Sequence, residues 1–356
     1  MGGGDGGFVS EVNRVSKTFK TSAIFFFTAA WLVVMRLIMG SVNVSDNVSD
    51  WVFTFGVQVI GLGLIPILLY KFWVKESVVK GFSLRVKIHP LFYVLAIATG
   101  VVLHFLIRSV SVIWQTVAFW IGYTPGNSAG TIYSGPEVLV MSLLCTAVLP
   151  AICEETTYRG LGLQIFSTVK DEKLVILWLG LMFGLGHQFF IQTGYTFIAG
   201  LVFGFFIVKT RSIFPGMIIH FINNALSVVS EFSEQQNNSF YAFESRINNL
   251  CFRSIGSVII TLIVTAAIVA ALLILVHKIA KNRKEDEKEE NEDDATYFYP
   301  KTTQYVDELF GKGFGMGVKV VSKERNAAWY EYAFLYGAFA LMILTTTFTF
   351  YWGFLR

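Results

Sequence analysis

Residues 138–166 read VLVMSLLCTAVLPAICEETTYRGLGLQIF. The run is apolar up to Leu149, meets a proline at Pro150, and then sets Glu154, Glu155 and Arg159 among further apolar residues. A helix that crosses a bilayer needs about 20 mainly apolar residues. This run is too long for one straight span. Pro150 lacks the N–H that would close its turn, so the sequence predicts a spanning helix kinked or broken there. Ionisable side chains inside such a span cost about 2.5–3.5 kcal/mol each to insert, so they mark either function or tight internal pairing.

Eight further apolar runs surround this one, at 22–39, 51–70, 90–107, 174–190, 195–208, 213–230, 254–277 and 331–352. The expected fold is therefore all-α, a polytopic transmembrane helix bundle of about eight or nine spans. The composition agrees. Of 356 residues, 54% are hydrophobic and only 15% charged, where a soluble domain carries roughly 25% charge. That excludes a disordered chain and a nucleic-acid module, so the expected surroundings are a lipid bilayer. Residues 111–123 are aromatic and apolar, and the Gly/Ser-rich sequence after them suggests an interfacial segment.

The expected organisation is N-terminal spans at 1–137, a motif-bearing core at 138–230, an outer loop and further span at 231–277, a charged cytosolic segment at 278–330 and an accessory span at 331–356. With the N-terminus inside, the inner segments hold 23 Lys and Arg residues and the outer ones four, while Arg36 lies within the first span. This bias predicts a cytosolic N-terminus in a multi-pass membrane protein. A bacterial plasma membrane fits. An endoplasmic-reticulum membrane fits equally, with sequons at Asn43, Asn47 and Asn237 facing the lumen.

Other features read as plain. Met1–Gly7 is polar and Gly-rich, unlike a cleavable signal peptide. The loop at 40–50 holds a small duplication, NVSDNVSD. The mixed charge run after Lys278 reads as a solvated helix extension or tail. Gly311, Gly313, Gly315 and Gly317 lack the Lys-Ser/Thr of a phosphate loop. Cys145, Cys153 and Cys251 make no disulfide framework, and Cys153 reads as a small buried hydrophobe.

Three polar groups in apolar runs demand a reason. Glu155 and Arg159, four apart, share a helix face and can pair. Glu154 is rotated by roughly 100° and keeps its carboxylate for a base; the plain alternative is a charged pair at a span end. His187, in LMFGLGHQFF, follows Phe183 by one turn and is catalytic or a core histidine bonded to backbone. His220 and Asn224, in RSIFPGMIIHFINNALS, share a face and serve either a developing negative charge or interhelical hydrogen bonding. At about 1.5 Å per residue, His187 lies some 20 Å from the inner boundary and His220 some 12 Å. Glu154 reaches similar depth only if its helix continues past Pro150.

The ordered set EExxxR, FxxxH and HxxxN on successive apolar helices resembles the CAAX prenyl protease and bacteriocin-processing family, the type II CAAX endopeptidase-like intramembrane proteases. The resemblance covers residues 138–230. It implies a bundle with a polar cavity open to the cytosol. In it Glu154 and His187 activate water, His220 and Asn224 stabilise the oxyanion, and Glu155 and Arg159 support the site. The implied substrate is a membrane peptide or protein, such as a prenylated C-terminus or a bacteriocin leader. No cofactor is expected; zinc is the alternative, with Glu154, His187 and His220 as ligands, although no HExxH motif supports it. Two rival functions remain: a non-catalytic scaffold that binds a partner membrane enzyme, and a proton-coupled transporter using the buried Glu and His. The chain shows no obvious inverted duplication of the transporter kind.

Overall fold

The computed structural model describes residues 16–41, 47–84, 87–124, 131–290 and 327–355. Met1–Gly7, residues 42–46 of the duplicated loop with Asn43, Arg85, and residues 291–326 with Gly311–Gly317 lie outside the described residues, while the charge run up to Glu290 extends α9. Within them all regular structure is helical, with no strand. The helices are α1 Lys17–Ser41, α2 Asn47–Val74, α3 Pro90–Trp120, α4 Pro136–Ile165, α5 Glu172–Gly186, α6 Phe190–Thr210, α7 Phe214–Gln236, α8 Ser239–Phe252, α9 Ile255–Glu290 and α10 Trp329–Trp352.

All nine apolar runs are helices, and seven of them are long and apolar enough to cross a membrane. The protein is an all-α integral membrane bundle. The other two are α5, which ends one residue before His187, and α7, which carries His220. α5 has 15 residues, about 22 Å at 1.5 Å per residue, against a hydrocarbon core of about 30 Å. α7 is diluted by its Asn, Ser, Glu and Gln residues.

Two expectations are corrected. Residues 111–123 are not a separate interfacial segment, because α3 runs unbroken from Pro90 to Trp120. Nothing between 101 and 120 breaks a helix, and the first glycine after it, Gly122, sits at φ 91°. The stretch read as outer loop also holds a helix, α8, capped by the Asn238 side chain accepting from the Tyr241 N–H.

Pro150 does not break α4. The backbone stays right-handed helical through it, and two wide turns flank it, at Leu143–Val148 and Thr156–Leu161. Wide turns of this kind absorb a missing hydrogen bond without ending the helix. The carbonyl of Thr146, four residues before Pro150, loses its usual donor, and Asn224 Nδ2 donates to it at 2.9 Å.

The core lies where α4 and α6 meet their neighbours: α4 packs on α2 and α7, α6 on α5, α3 and α7, and α10 covers α1. Its largest fully buried side chain is a charged one, Arg159.

Candidate active site

Arg159, counted above with the inner segment, lies wholly inside the bundle. Its Nη1 donates to Glu155 Oε1 at 2.9 Å, four residues back on α4, and both side chains are fully buried. Nη2 donates to the Gly200 carbonyl of α6 at 3.4 Å. The guanidinium lies 4.2 Å from the ring centre of Phe183 and 4.8 Å from that of Phe203. Removed from water, this charge is balanced by a carboxylate and two aromatic faces.

Glu155 holds a second partner. His220, on α7, donates from Nδ1 to the same Oε1 at 3.1 Å. Phe203 stacks on the His220 ring at 5.1 Å between centres, and Phe183 meets it edge-on at 5.6 Å. α7 comes this close because residue 216 is glycine: a Cβ there would lie 3.0 Å from Glu155 Oε2. With Nδ1 committed, His220 turns Nε2 towards Glu154 Oε2, 3.9 Å away. One water could bridge that gap.

Glu154 therefore differs from its neighbour as the helix geometry predicts. It points away from Arg159, and its Oε2 is buried without a hydrogen-bond partner. Its Oε1 accepts from Gln58 Nε2 of α2 at 2.7 Å. Sequence reasoning missed Gln58, whose only signal was an amide in the otherwise apolar stretch after Phe55.

His187 is not on a helix. α5 ends at Gly186, the chain reverses through His187, Gln188 and Phe189, and α6 returns. Irregular backbone at membrane depth needs protein partners for its polar groups. Arg36 Nη2 donates to the His187 carbonyl at 2.7 Å, Trp114 Nε1 donates to the Phe190 carbonyl at 3.1 Å, and the Phe190 N–H donates to Thr349 Oγ1 at 3.0 Å. This accounts for Arg36 inside an apolar span. Gln188 takes a φ of 51°, which completes the reversal. The His187 Nδ1–H donates to the Phe183 carbonyl at 2.9 Å and leaves Nε2 as an acceptor. The ring lies edge-on to Phe183, the same ring that His220 meets edge-on.

The fold thus gathers Glu154, Glu155, Arg159, His187 and His220. Asn224, one turn after His220 on α7, makes bonds outside this set. Its Nδ2 serves the Thr146 carbonyl, and its Oδ1 accepts from Asn223 Nδ2 at 2.9 Å. Among the described residues no three His, Cys, Asp or Glu side chains form a set that could hold a metal ion. An open apolar groove of about 390 Å³ lies between α3, α4 and α7, lined by Val148, Ala151 and Ile152 of α4, Tyr93 of α3, and Met217 and Phe221 among others of α7, and by none of the cluster's own side chains.

Residues 136–226, which carry every member of this cluster but Gln58, match the family profile described as Rce1-like, type II CAAX prenyl endopeptidase. This segment resembles an Rce1-like domain. No curated protein and no solved structure matches the chain. The Rce1-like domain begins with α4 and ends within α7, so α1 to α3 and α8 to α10 flank it.

Proposed function

We propose that the protein is an intramembrane endopeptidase that hydrolyses a peptide bond near a membrane-embedded or prenylated peptide terminus. The observation that carries this reading is the buried, unpartnered Glu154 Oε2 facing His220 Nε2 at 3.9 Å. Glu154 takes a proton from a water held in that gap, and His187 Nε2 accepts the water's second hydrogen bond. The hydroxide adds to the scissile carbonyl carbon. In its doubly protonated form, with Nδ1–H resting on Glu155, His220 donates through Nε2 to the oxyanion. The C–N bond then breaks, and the proton held by Glu154 passes to the leaving amine. Arg159 keeps the Glu155 carboxylate in place, and no nucleophilic Ser or Cys is needed. Asn224 gives one amide N–H to the Thr146 carbonyl of α4 and has a second N–H to offer beside His220 at the oxyanion.

The apolar groove lined by Ala151 and Met217, one turn before Glu154 and His220 on their helices, suits the greasy segment of such a substrate, which sets the membrane peptide above a soluble one. The test uses the full chain in liposomes with matched prenylated and unprenylated peptides ending in apolar residues, the products being read by mass spectrometry. Wild type is expected to cut at one bond in the presence of a chelator, and Glu154→Ala to leave the peptide intact. Equal cleavage by both overturns the reading. No cleavage by either, with a partner membrane enzyme co-purifying, supports the scaffold; a proton-coupled flux lost on the same substitution supports the transporter.

A further inference from the structure

Gln58 lies outside the Rce1-like domain, in a wide helical turn of α2 at Gly56–Leu64, and no motif includes it. Its side chain is buried, its Nε2 donates to Glu154 Oε1 at 2.7 Å, and its own Oε1 has no hydrogen-bond partner. A burial this incomplete is destabilising unless it serves something else. Holding the helices together is not what it serves. α2 and α4 are already fastened a turn away by Thr157 Oγ1 donating to the Leu62 carbonyl at 2.5 Å. They also touch where Gly63 lets the Cys153 sulfur approach, a Cβ there lying 3.3 Å from Sγ. The Leu62 carbonyl is open to Thr157 because Pro66, four residues on, has no N–H to offer it.

Resting on the hydrolytic reading above, we infer that Gln58 is a positioning residue for the general base: its amide fixes one carboxylate oxygen of Glu154 so that the other faces the reacting water. A glutamate side chain has three rotatable bonds, and one hydrogen bond at Oε1 fixes the carboxylate plane. Oε2 is then held on the side of His220, where the water must sit. The unpartnered Gln58 Oε1 is a second buried acceptor on the amide that holds Glu154. The catalytic unit therefore extends beyond the Rce1-like segment to α2, and α2 is a working part of the site rather than a membrane anchor.

Steady-state cleavage by the full chain in liposomes tests this with three variants, each checked for monodisperse elution and helical content. The near-isosteric Gln58→Met removes the donor and is expected to lower kcat about 10- to 100-fold, the usual effect of a slightly misplaced catalytic group. KM is expected to stay within about twofold, because the lost interaction acts on the reacting atoms. Gln58→Glu can donate only when one of two adjoining carboxyls holds a proton. Its activity is expected to be confined to the acid side of the wild-type pH profile. Thr157→Val loosens the same seam away from the base, and is expected to lower the unfolding temperature with kcat within about twofold of wild type. The inference is overturned if Gln58→Met turns over like wild type, or if Thr157→Val loses as much kcat as Gln58→Met. Should Gln58→Met not fold, the profile of Gln58→Glu decides, and one superimposable on wild type overturns the inference. A wild type that cleaves nothing sinks the hydrolytic reading and this inference together.

Discussion

Two polar clusters in this bundle use nearly the same residue types, and they work differently. The first joins Glu154, Glu155, Arg159, His187 and His220 around α4. The second lies at the other end of α7, where Arg108, Glu231, Gln235, Glu244 and Asn248 tie α3, α7 and α8 to the loop at Thr131 and Tyr133. There Gln235 Nε2 donates to the Thr131 carbonyl at 2.7 Å and Gln235 Oε1 accepts from the Tyr133 N–H at 3.0 Å. Arg108 donates to Asn248 Oδ1 at 3.0 Å, stands 3.8 Å from Glu244 Oε1, and is 38% exposed. The second cluster fastens helix ends and a loop, and the one carboxylate oxygen it leaves buried without a hydrogen-bond partner, Glu244 Oε2, lies beside Arg108 rather than an imidazole. The first buries its ion pair completely and leaves a carboxylate oxygen aimed at an imidazole. Residue type does not separate a fastening from a reacting site, whereas burial and the direction of the unspent atoms do.

That contrast is sharpest in the two arginines. Arg159→Met leaves Glu155 as a buried unpaired charge and is expected to destabilise the fold by about 3–5 kcal/mol. Arg108→Met breaks a longer, partly solvated pair and is expected to cost about 1 kcal/mol or less. Thermal unfolding in detergent checks both, and equal losses would break the comparison. A smaller effect separates the amides. Asn224→Ala strips the donor from the Thr146 carbonyl below Pro150, with an expected loss of about 1–3 kcal/mol. Gln235→Ala acts on an exposed loop and is expected to stay within about 0.5 kcal/mol. If instead Asn224→Ala unfolds like wild type but loses turnover, the asparagine belongs to the oxyanion and not to α4.

The helices were legible because each apolar run is long, and Glu154, Glu155, Arg159, His187 and His220 were legible because charge and imidazole are out of place in hydrocarbon. The Glu155–Arg159 pair followed from a spacing of four alone. What the pattern could not show is where partners come from. Gln58 meets Glu154 across 96 positions of chain, and periodicity within one helix carries no information about that. Spacing put Asn224 on the face of His220, but its amide turns to a carbonyl left vacant by a proline on another helix. The apolar run 174–190 gave no sign that α5 stops at Gly186, because the stop depends on Arg36, Trp114 and Thr349, donated by three distant helices. The resemblance to the CAAX endopeptidase family covers the segment that the Rce1-like profile matches, and it left α2 out of the site.

The most direct measurement sets the two adjoining carboxylates against each other, with Glu154→Gln and Glu155→Gln compared for unfolding temperature and for turnover of the same peptide in liposomes. The account predicts that Glu154→Gln unfolds within a few degrees of wild type and loses turnover by about 10²–10⁴-fold, the range expected for a missing general base. It predicts that Glu155→Gln is markedly less stable, because Arg159 and His220 lose their shared counter-charge. A stable Glu155→Gln beside a Glu154→Gln that still cleaves at the wild-type rate would contradict it.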